Sequence, residues 1–210
     1  MVAVIDYDAG NIKSVIKAME HMGEEVVLTR DRDKLLKADH VILPGVGAFG
    51  DAMERIHEYH LYEPIQEVVA KKTPFLGICL GLQLLFESSE ESEGVEGLSI
   101  LKGKIVKIPD FKETLADGTV VDAKIPHMGW NSLSIRPDKK LFAGVKDSSY
   151  VYFVHSFYLK AENESDVAAT TEYGTLIHAS VEHENVFGCQ FHPEKSGEPG
   201  LQILRNFIAL

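Results

Sequence analysis

The chain has 210 residues, of which 45% are hydrophobic and 9% aromatic, so it can bury a substantial core and is too apolar for a disordered protein. Its formal net charge of -11 argues against binding to nucleic acid or to an anionic membrane, because both require clustered lysine and arginine. No apolar run reaches the length of a membrane span and the first residues lack a basic leader, so we expect a cytoplasmic protein.

Cysteine and histidine usage indicates neither a disulfide framework nor a metal centre. The two cysteines, Cys79 and Cys189, are too few for such a framework. The nine histidines occur in no HExxH arrangement, and the cysteines in no CxxC pair. We therefore expect no metal and no organic cofactor.

The first half of the chain alternates short apolar strands with amphipathic helices. The predicted strands are 2–6, 25–29, 40–43 and 75–78, and the predicted helices are 11–22, 34–38 and 51–70, the last in two pieces around Pro64. This alternation implies right-handed crossovers and a mostly parallel sheet covered on both faces.

Beyond about residue 98 the pattern changes to strands. They are predicted at 103–108, 131–135, 150–159, 167–172, 177–182 and 186–190, followed by a final helix at 201–208. Turn residues at 173–174 and 184–185 predict hairpins, and the charged run 90–96 predicts an exposed loop. We therefore predict a single α/β domain over residues 1–210, with a mostly parallel central sheet and antiparallel strands in its C-terminal half.

Cys79 lies in Gly77-Ile78-Cys79-Leu80-Gly81, directly after an apolar strand and directly before a helical pattern. Glycines near a strand-to-helix turn allow a strained backbone that presents the central side chain clear of the strand, as a nucleophile requires. A lone cysteine in apolar surroundings is also commonly a small buried hydrophobe. This string alone leaves both interpretations open.

A second string, Gln190-Phe191-His192-Pro193-Glu194, follows the last predicted strand. Pro193 biases His192 toward an extended conformation, so the side chains of His192 and Glu194 should project to the same side. They would supply a general base together with the carboxylate that orients it. A surface histidine–glutamate pair in a loop is the structural alternative.

A third string, Pro44-Gly45-Val46-Gly47, ends the third predicted strand. Two glycines around Val46 free the backbone to turn its N–H groups toward a neighbouring site, as an oxyanion hole requires. A plain strand-to-helix turn is the alternative.

The cysteine turn, the His-Pro-Glu string and their chain order resemble the class I (triad) glutamine amidotransferases, whose domain hydrolyses the side-chain amide of glutamine and passes ammonia to a synthase. Five strings resemble, more narrowly, the glutaminase subunits of imidazole glycerol phosphate synthases. They are DYDAGN at 6–11, PGVGAF at 44–49, PHMGWN at 126–131, YFVHS at 152–156 and FHPEKS at 191–196. Asp8 departs from this pattern, since the family often has glycine there, and leaves the conformation of the first turn open.

The resemblance implies a flavodoxin-like glutamine amidotransferase domain and a role for each matching residue. Cys79 would form a glutamyl thioester, His192 would act as general base and then acid, and Glu194 would orient it. It further implies glutamine contacts at Gly47, Gln83, Glu91 and the backbone of Ser156 and Phe157, an oxyanion hole at Gly45, Val46 and Leu80, and a partner interface at Asn11, Trp130 and Lys195. From the residues alone, the commoner alternatives are a capping or exposed helix residue for Gln83 and a solvated loop charge for Glu91, and Trp130 is either a core residue or an interface anchor.

The resemblance also implies a partner, a separate (β/α)8 cyclase chain that forms a heterodimer with this one. Ammonia would pass through that barrel and react with N1-phosphoribulosyl formimino aminoimidazole carboxamide ribonucleotide, giving imidazole glycerol phosphate and aminoimidazole carboxamide ribonucleotide in histidine biosynthesis. In the family, a peptide flip at Gly45-Val46 is thought to complete the oxyanion hole, and glycine lowers the cost of such a flip. We therefore expect the activity switch at residues 45–47.

His127, His155 and His178 are predicted to be structural, because none has the neighbouring carboxylate and proline of His192. Cys189 alternates with aromatic residues in a predicted strand and is expected in the core.

Three other functions fit parts of the pattern. The chain could be a glutaminase that serves another synthase, such as that of anthranilate or pyridoxal phosphate, or a cysteine peptidase or γ-glutamyl hydrolase on a similar fold. It could also be a non-catalytic binding or regulatory subunit. The joint presence of Cys79, His192 and Glu194 argues against that last function.

Overall fold

A computed structural model of the chain describes residues 1–114 and 117–210. The strands in these ranges are β1 (Val2–Ile5), β2 (Val26–Thr29), β3 (His40–Leu43), β4 (Phe75–Ile78), β5 (Ser88–Ser89), β6 (Gly103–Lys107), β7 (Lys112–Thr114), β8 (Val120–Asp122), β9 (His127–Ser132), β10 (Ser134–Ile135), β11 (Tyr150–His155), β12 (Phe157–Ala161), β13 (Val167–Glu172), β14 (Leu176–His183) and β15 (Val186–Cys189). The α-helices are α1 (Ile12–His21), α2 (Arg32–Lys37), α3 (Phe49–Glu58), α4 (Tyr62–Ala70), α5 (Leu80–Leu84) and α6 (Gly197–Ile208).

The main sheet runs in the order β2-β1-β3-β4-β15-β14-β12-β6-β5, with β13 and β10 attached beside β14. Strands β1 to β4 and β15 pair in parallel, whereas β15, β14, β12 and β6 pair antiparallel to one another. Strands β13, β14 and β15 form the two predicted hairpins. The predicted α/β fold is confirmed: strands β1 to β4 of the N-terminal half are parallel, most pairings of the C-terminal half are antiparallel, and β15 joins the parallel strands from the C-terminal half.

Both faces of the parallel strands are covered. Along β1 the side chains alternate between two cores, with Ala3 and Ile5 in one and Val2 and Val4 in the other, because successive strand residues point to opposite faces. Helices α3 and α4 cover the first face, and α1 and α6 cover the second. This burial on both faces explains why the parallel strands are continuous apolar runs.

Some boundaries differ from the sequence prediction. The predicted helix 51–70 breaks before Pro64, since α3 ends at Glu58 and α4 begins at Tyr62. Pro64 thus lies in the first turn of α4, where a missing N–H removes no helical hydrogen bond. His60, at φ 52°, redirects the chain in the break. The last helix begins at Gly197, earlier than predicted.

Ser156 divides the predicted strand 150–159 into two strands of different sheets. Strand β11 pairs with β9 in a separate two-stranded sheet, and β12 pairs with β6 in the main sheet. The chain therefore crosses between the sheets at this one residue. The hairpin β7–β8 was not predicted, because its residues are mostly exposed and carry little apolar alternation.

Among the described residues, no helix is long and apolar enough to cross a membrane.

Candidate active site

Cys79 occupies a strained turn between β4 and α5, with φ 54° and ψ -108°. Its positive φ is uncommon for a residue with a side chain and is typical of a nucleophile at a strand-to-helix turn. Gly77 and Gly81 are needed because other backbone segments pack closely against them. The sequence instead predicts that they provide the strained conformation of the turn. A Cβ on Gly77 would lie 2.5 Å from the Gly81 carbonyl oxygen, and one on Gly81 would lie 1.8 Å from that of Leu43. The strain is therefore carried by the cysteine itself.

The sheet brings His192 and Glu194 to Cys79. Strand β15 pairs in parallel with β4, and the Cys79 N–H donates to the Cys189 carbonyl at 2.7 Å, so the chain that follows each strand leaves at the same edge. His192 Nδ1 lies 2.8 Å from Glu194 Oε1, and the two side chains are only 2% and 0% exposed. The surface-pair alternative for this string is therefore wrong.

The environment of His192 favours its protonated form. Burial lowers the pKa of this imidazole, but the Cys79 and Glu194 side chains outweigh burial and raise the pKa to about 9. The buried Nε2 atom makes no hydrogen bond to any residue in the described ranges. This nitrogen can therefore exchange a proton with a substrate bound at Cys79.

Asn11 contacts the same carboxylate. Its Nδ2 donates to Glu194 Oε1 at 2.9 Å, while its Oδ1 accepts from Ser14 Oγ at 2.9 Å. The residue has φ 65°, a left-handed conformation that asparagine tolerates better than most residues. The sequence predicted Asn11 for the partner interface and missed this contact, because it joins residues at opposite ends of the chain. No local feature of the sequence around Asn11 pointed to this contact.

The predicted oxyanion hole is not formed in this structure. The Leu80 N–H donates to the Gly45 carbonyl at 3.2 Å, so that carbonyl occupies the donor that a substrate oxyanion would need. Tyr7 Oη donates to the neighbouring Pro44 carbonyl at 2.7 Å. A Cβ on Gly45 would lie 2.1 Å from this hydroxyl oxygen, so glycine is required there for close approach. Gly47 has φ 111° and needs glycine for its backbone conformation.

A cavity of about 310 Å³ opens beside Cys79. It is lined by Cys79, Leu80 and Val46 and by the residues predicted to contact glutamine, namely Gly47, Gln83, Glu91, Ser156 and Phe157. The structure thus brings all the predicted glutamine contacts together around the sulfur. The cavity is large enough for an amino acid of the size of glutamine.

Two of these residues have defined partners. Gln83 is buried, and its Nε2 donates to the Phe157 carbonyl and to Gln190 Oε1, both at 3.0 Å, so the alternative of a capping or exposed residue is wrong. Glu91 is exposed, and its Oε2 accepts from the Phe49 N–H at 2.8 Å. Glu91 therefore holds a carboxylate at the rim of the cavity.

The remaining predicted interface residues lie on one face. Trp130 is 56% exposed and packs edge-on against Tyr152, with ring centroids 6.1 Å apart, so its core alternative is wrong. The exposed Lys195 places Nζ 6.0 Å from the centre of the Tyr152 ring. Met128 and Tyr150 are exposed on the neighbouring strand positions. Such an apolar surface with a nearby charge is typical of a protein interface.

Cys189 is fully buried, as predicted, and burial raises the pKa of its thiol well above the usual range. The described residues contain no group of three or more histidine, cysteine, aspartate or glutamate side chains placed to hold a metal ion.

A strained cysteine beside a buried histidine–glutamate pair, on a doubly wound fold, is the arrangement typical of cysteine-dependent acyl-transfer enzymes. A sequence model of the class-I glutamine amidotransferases matches residues 3–210, and the chain belongs to this family. Within it, the chain is similar to the imidazole glycerol phosphate synthase subunit HisH of Methanocaldococcus jannaschii, with 46% identity over 210 residues and 100% of both chains covered.

Two further comparisons agree. The HisH subunit of Bacillus cereus (strain G9842) is 48% identical over 207 residues, which cover 99% of this chain and 93% of the relative. The solved structure of PurLQS from Thermotoga maritima has a TM-score of 0.70 at 19% identity, covering 99% of this chain and 97% of the other, and bears on the fold alone. The resemblance seen in the five sequence strings is thereby confirmed.

Proposed function

We propose that the chain is the glutaminase subunit of an imidazole glycerol phosphate synthase and that residues 1–210 form one glutamine amidotransferase domain. The relatives of 46% and 48% identity bear the name of this subunit. The observation that carries the proposal is Cys79 at φ 54°, on the same sheet edge as the buried His192–Glu194 pair.

In the first step, His192 takes the Cys79 thiol proton on Nε2, the resulting thiolate attacks the side-chain amide carbon of glutamine, and the carbonyl electron pair moves to oxygen. Protonated His192 gives its Nε2 proton to the amide nitrogen, the carbon–nitrogen bond breaks, and ammonia leaves a glutamyl thioester. In the second step, neutral His192 takes a proton from water, which attacks the thioester and releases glutamate and the sulfur. A His192 pKa of about 9 supplies the protonated ring at neutral pH.

Glu194 and Asn11 orient the base. Glu194 Oε1 accepts from His192 Nδ1, which leaves Nε2 as the atom turned toward the chemistry. Asn11 donates to the same oxygen and restrains the carboxylate. We assign Asn11 this supporting role in addition to its predicted place near the partner.

The oxyanion has no complete hole until the Gly45–Val46 peptide rotates. Rotation would turn the Gly45 carbonyl away from the Leu80 N–H and bring the Val46 N–H toward the cavity. One aimed donor typically contributes about 3 kcal/mol to transition-state stabilisation, so with the Leu80 N–H occupied we expect the subunit to be nearly silent when alone. We propose that the partner promotes this rotation.

The partner in this proposal is the (β/α)8 cyclase chain, which receives ammonia and forms imidazole glycerol phosphate and aminoimidazole carboxamide ribonucleotide in the cytoplasm. The names of the relatives, which denote a synthase subunit, support a partner chain. The exposed face around Trp130 and Lys195 supports its location.

Co-purification with the cyclase chain, followed by assay of glutamate release with and without the cyclase's nucleotide substrate, tests the proposal. We expect a stable complex whose glutamate release rises when the nucleotide is added. If the complex does not form, a glutaminase of another synthase becomes the better conclusion. If γ-glutamyl peptides are cleaved in preference to free glutamine, a hydrolase does.

Cys79→Ala tests the nucleophile, with Cys189→Ala as the matched control. We expect Cys79→Ala to lower glutamate release of the complex by at least about a thousandfold, because no other group replaces the thioester-forming sulfur. A glutamine-mimicking electrophile should label the wild type and the Cys189→Ala variant once per chain and leave Cys79→Ala unlabelled. Full glutamine-dependent activity of Cys79→Ala would overturn the mechanism.

A further inference from the structure

Two buried histidines beside the cavity take no part in the steps above. His127 lies on β9 and His155 faces it across the strand pair on β11. The side chains belong to residues that are 3% and 6% exposed, and His127 Nδ1 lies 3.0 Å from His155 Nε2. Two buried imidazole rings in direct contact need a defined protonation state and tautomer. One of the two contacting nitrogens must donate and the other accept, because neither can hydrogen-bond to water instead.

The hydrogen bonds of Asn131 determine which nitrogen of His127 carries the proton. The Asn131 Oδ1 accepts from the Ser132 N–H at 2.8 Å, and Nδ2 donates to the Glu172 carbonyl at 2.9 Å. The same Nδ2 lies 3.3 Å from His127 Nε2, so this ring nitrogen is an acceptor. His127 must then carry its proton on Nδ1 and donate it to His155 Nε2.

His155 follows the same pattern. Its Nε2 accepts from His127, so its single proton lies on Nδ1, which donates to the Phe157 carbonyl at 2.9 Å. Protonation of either ring would place two N–H groups against each other or against the Asn131 amide. Both histidines are therefore neutral and carry their proton on Nδ1.

The surroundings agree with this state. Burial lowers the pKa of His127 to about 4, and burial, reinforced by His127, lowers the pKa of His155 to about 3. The His127 ring is stacked between Phe153, at 4.6 Å between centroids, and Tyr173, at 4.0 Å. The stacked neighbours hold the plane of the imidazole, and the contacts of Nδ1 with His155 and of Nε2 with Asn131 define which nitrogen faces which partner.

The pair ends at the wall of the glutamine cavity. The Phe157 carbonyl accepts from His155 Nδ1 and also from Gln83 Nε2. Gln83 contacts Gln190 in turn, and Gln190 Nε2 lies 3.8 Å from the Cys79 sulfur. Two donors, from His155 and Gln83, thus hold the Phe157 carbonyl in place. The Gln83 amide is in turn connected to the Cys79 sulfur through Gln190.

The position of this carbonyl matters because Ser156 is the sole residue between two sheets. His155 ends β11 and Phe157 begins β12. The hydrogen bond from the His155 ring to the Phe157 carbonyl spans this junction from one sheet to the other. Without it, the junction at Ser156, which lines the cavity, would lose one of its hydrogen bonds; a second one runs from the Ile108 N–H to the Ser156 carbonyl at 2.9 Å.

We propose that His127 and His155 are positioning residues of the glutaminase site, which as a neutral pair of fixed tautomers hold the Ser156–Phe157 backbone and the Gln83 amide in place for glutamine. This inference rests on the proposed function. It assigns the pair to substrate binding and leaves proton transfer to His192. Loss of the pair should therefore raise KM for glutamine more than it lowers kcat.

Two substitutions of His155 separate positioning from packing. His155→Leu removes both ring nitrogens, whereas His155→Asn keeps a donor, because the asparagine Nδ2 takes the place of the ring Nδ1 opposite the Phe157 carbonyl. In the complex with the cyclase chain, we expect His155→Leu to raise KM for glutamine about tenfold, equivalent to about 1.4 kcal/mol, with kcat changed by less than about threefold. His155→Asn should restore KM to within about threefold of the wild type.

His178→Leu is the matched control. His178 is a half-buried histidine that accepts from the Ala161 N–H and does not line the cavity, so its loss should leave KM unchanged. A His155→Leu variant with unchanged KM in an active complex would overturn the inference. So would equal losses in His155→Leu and His155→Asn confined to kcat, since those would report only a smaller folded fraction.

Nitrogen-15 NMR of the histidine rings in the chain alone tests the inference without any assay of activity. At pH 7, we expect two rings with protonated Nδ1 and unprotonated Nε2, assigned by the signals that His127→Asn and His155→Asn each remove. An imidazolium or an Nε2-protonated ring at either position would overturn the inference. If the wild-type complex hydrolyses no glutamine while the two expected tautomers are present, the proposed function fails and the structural part of the inference stands.

Discussion

The two sides of the reaction are prepared to different degrees. On the nucleophile side, Cys79, His192 and Glu194 are assembled, with the imidazole and carboxylate 2.8 Å apart. On the oxyanion side, the donor of Leu80 is occupied by the chain's own Gly45 carbonyl. Both groups of residues follow the carboxyl ends of neighbouring parallel strands. The proposed triad at this end of the sheet is therefore assembled, whereas the proposed oxyanion hole beside it is not.

This difference shows which part of the site can be switched with little free energy. Separating a buried histidine–carboxylate pair would leave charged groups without partners, at a cost of several kcal/mol. Rotating one peptide next to glycines exchanges a single hydrogen bond, which is typically worth about 1 kcal/mol. A regulator can therefore switch the oxyanion side with much less free energy than the nucleophile side.

Glu194→Gln changes the assembled triad and should have the largest effect on activity. We expect kcat/KM to fall by about a thousandfold, because the neutral amide no longer stabilises the protonated ring or fixes its tautomer. Glu198→Gln, at an exposed carboxylate paired with Arg205, is the control and should change little. Equal rates for Glu194→Gln and the wild type would contradict the triad.

The same variant should change how stability depends on pH. The pKa of His192 is raised from 6.5 to about 9 in the folded chain, so its protonated ring stabilises the fold fully below pH 6.5. That contribution is lost as the pH rises through 9. The free energy of unfolding of the wild type, followed by denaturant titration, should fall over this window, and the fall should be smaller in Glu194→Gln.

Gly47→Ala tests the proposed oxyanion hole at residues 45–47. A methyl group there meets no atom within 4 Å, so the substitution acts on the backbone, whose φ of 111° becomes strained. We expect the rotation of the Gly45–Val46 peptide to move Gly47 out of this conformation, so that only the resting state carries a strain of about 1 kcal/mol. Partner-independent glutamate release should then rise and the stimulation by the cyclase ligand should fall, each about fivefold.

Gly144→Ala is matched to this change, since its φ is 75° and its Cβ would also meet nothing within 4 Å. It should lower stability without altering stimulation. Gly45→Ala is a poorer test, because its methyl group would collide with the Tyr7 hydroxyl. Unchanged stimulation in Gly47→Ala would remove the switch from residues 45–47.

Tyr7→Phe should have the smallest effect of the three. It removes the donor that holds the Pro44 carbonyl, so we expect the free energy of unfolding to fall by about 1 kcal/mol and basal glutamate release to rise by less than about threefold. Thermal unfolding and the basal assay measure both quantities. A change in neither would show that this hydrogen bond does not restrain the oxyanion strand.

Periodicity predicted the strands and helices well where one pattern ran uninterrupted, as in β1, β3 and β4. It failed where geometry depends on partners distant in sequence. Ser156 divides a continuous apolar run because its two halves pair with β9 and β6, and no local signal identifies those partners. The contact of Asn11 with Glu194 was missed for the same reason.

Asp8 illustrates a conformation that the sequence left open. It has φ 60°, a left-handed conformation that glycine adopts more readily than aspartate. Its carboxylate contacts Arg30 and Arg55 and accepts from the Tyr59 hydroxyl. These contacts offset the strain, and they join three separate segments of the chain, so the turn could not be predicted from the string around it.

The pairing of β15 with β4 also sets when the site comes into being. The chain is synthesised from its N-terminus, so Cys79 and strands β1 to β4 leave the ribosome long before His192 and Glu194. Until then β4 is an edge strand, and the thiol beside it has no base. Pairing of the last strand therefore brings the proposed base and its carboxylate to the thiol, so we expect a chain that ends before β15 to have no glutaminase activity.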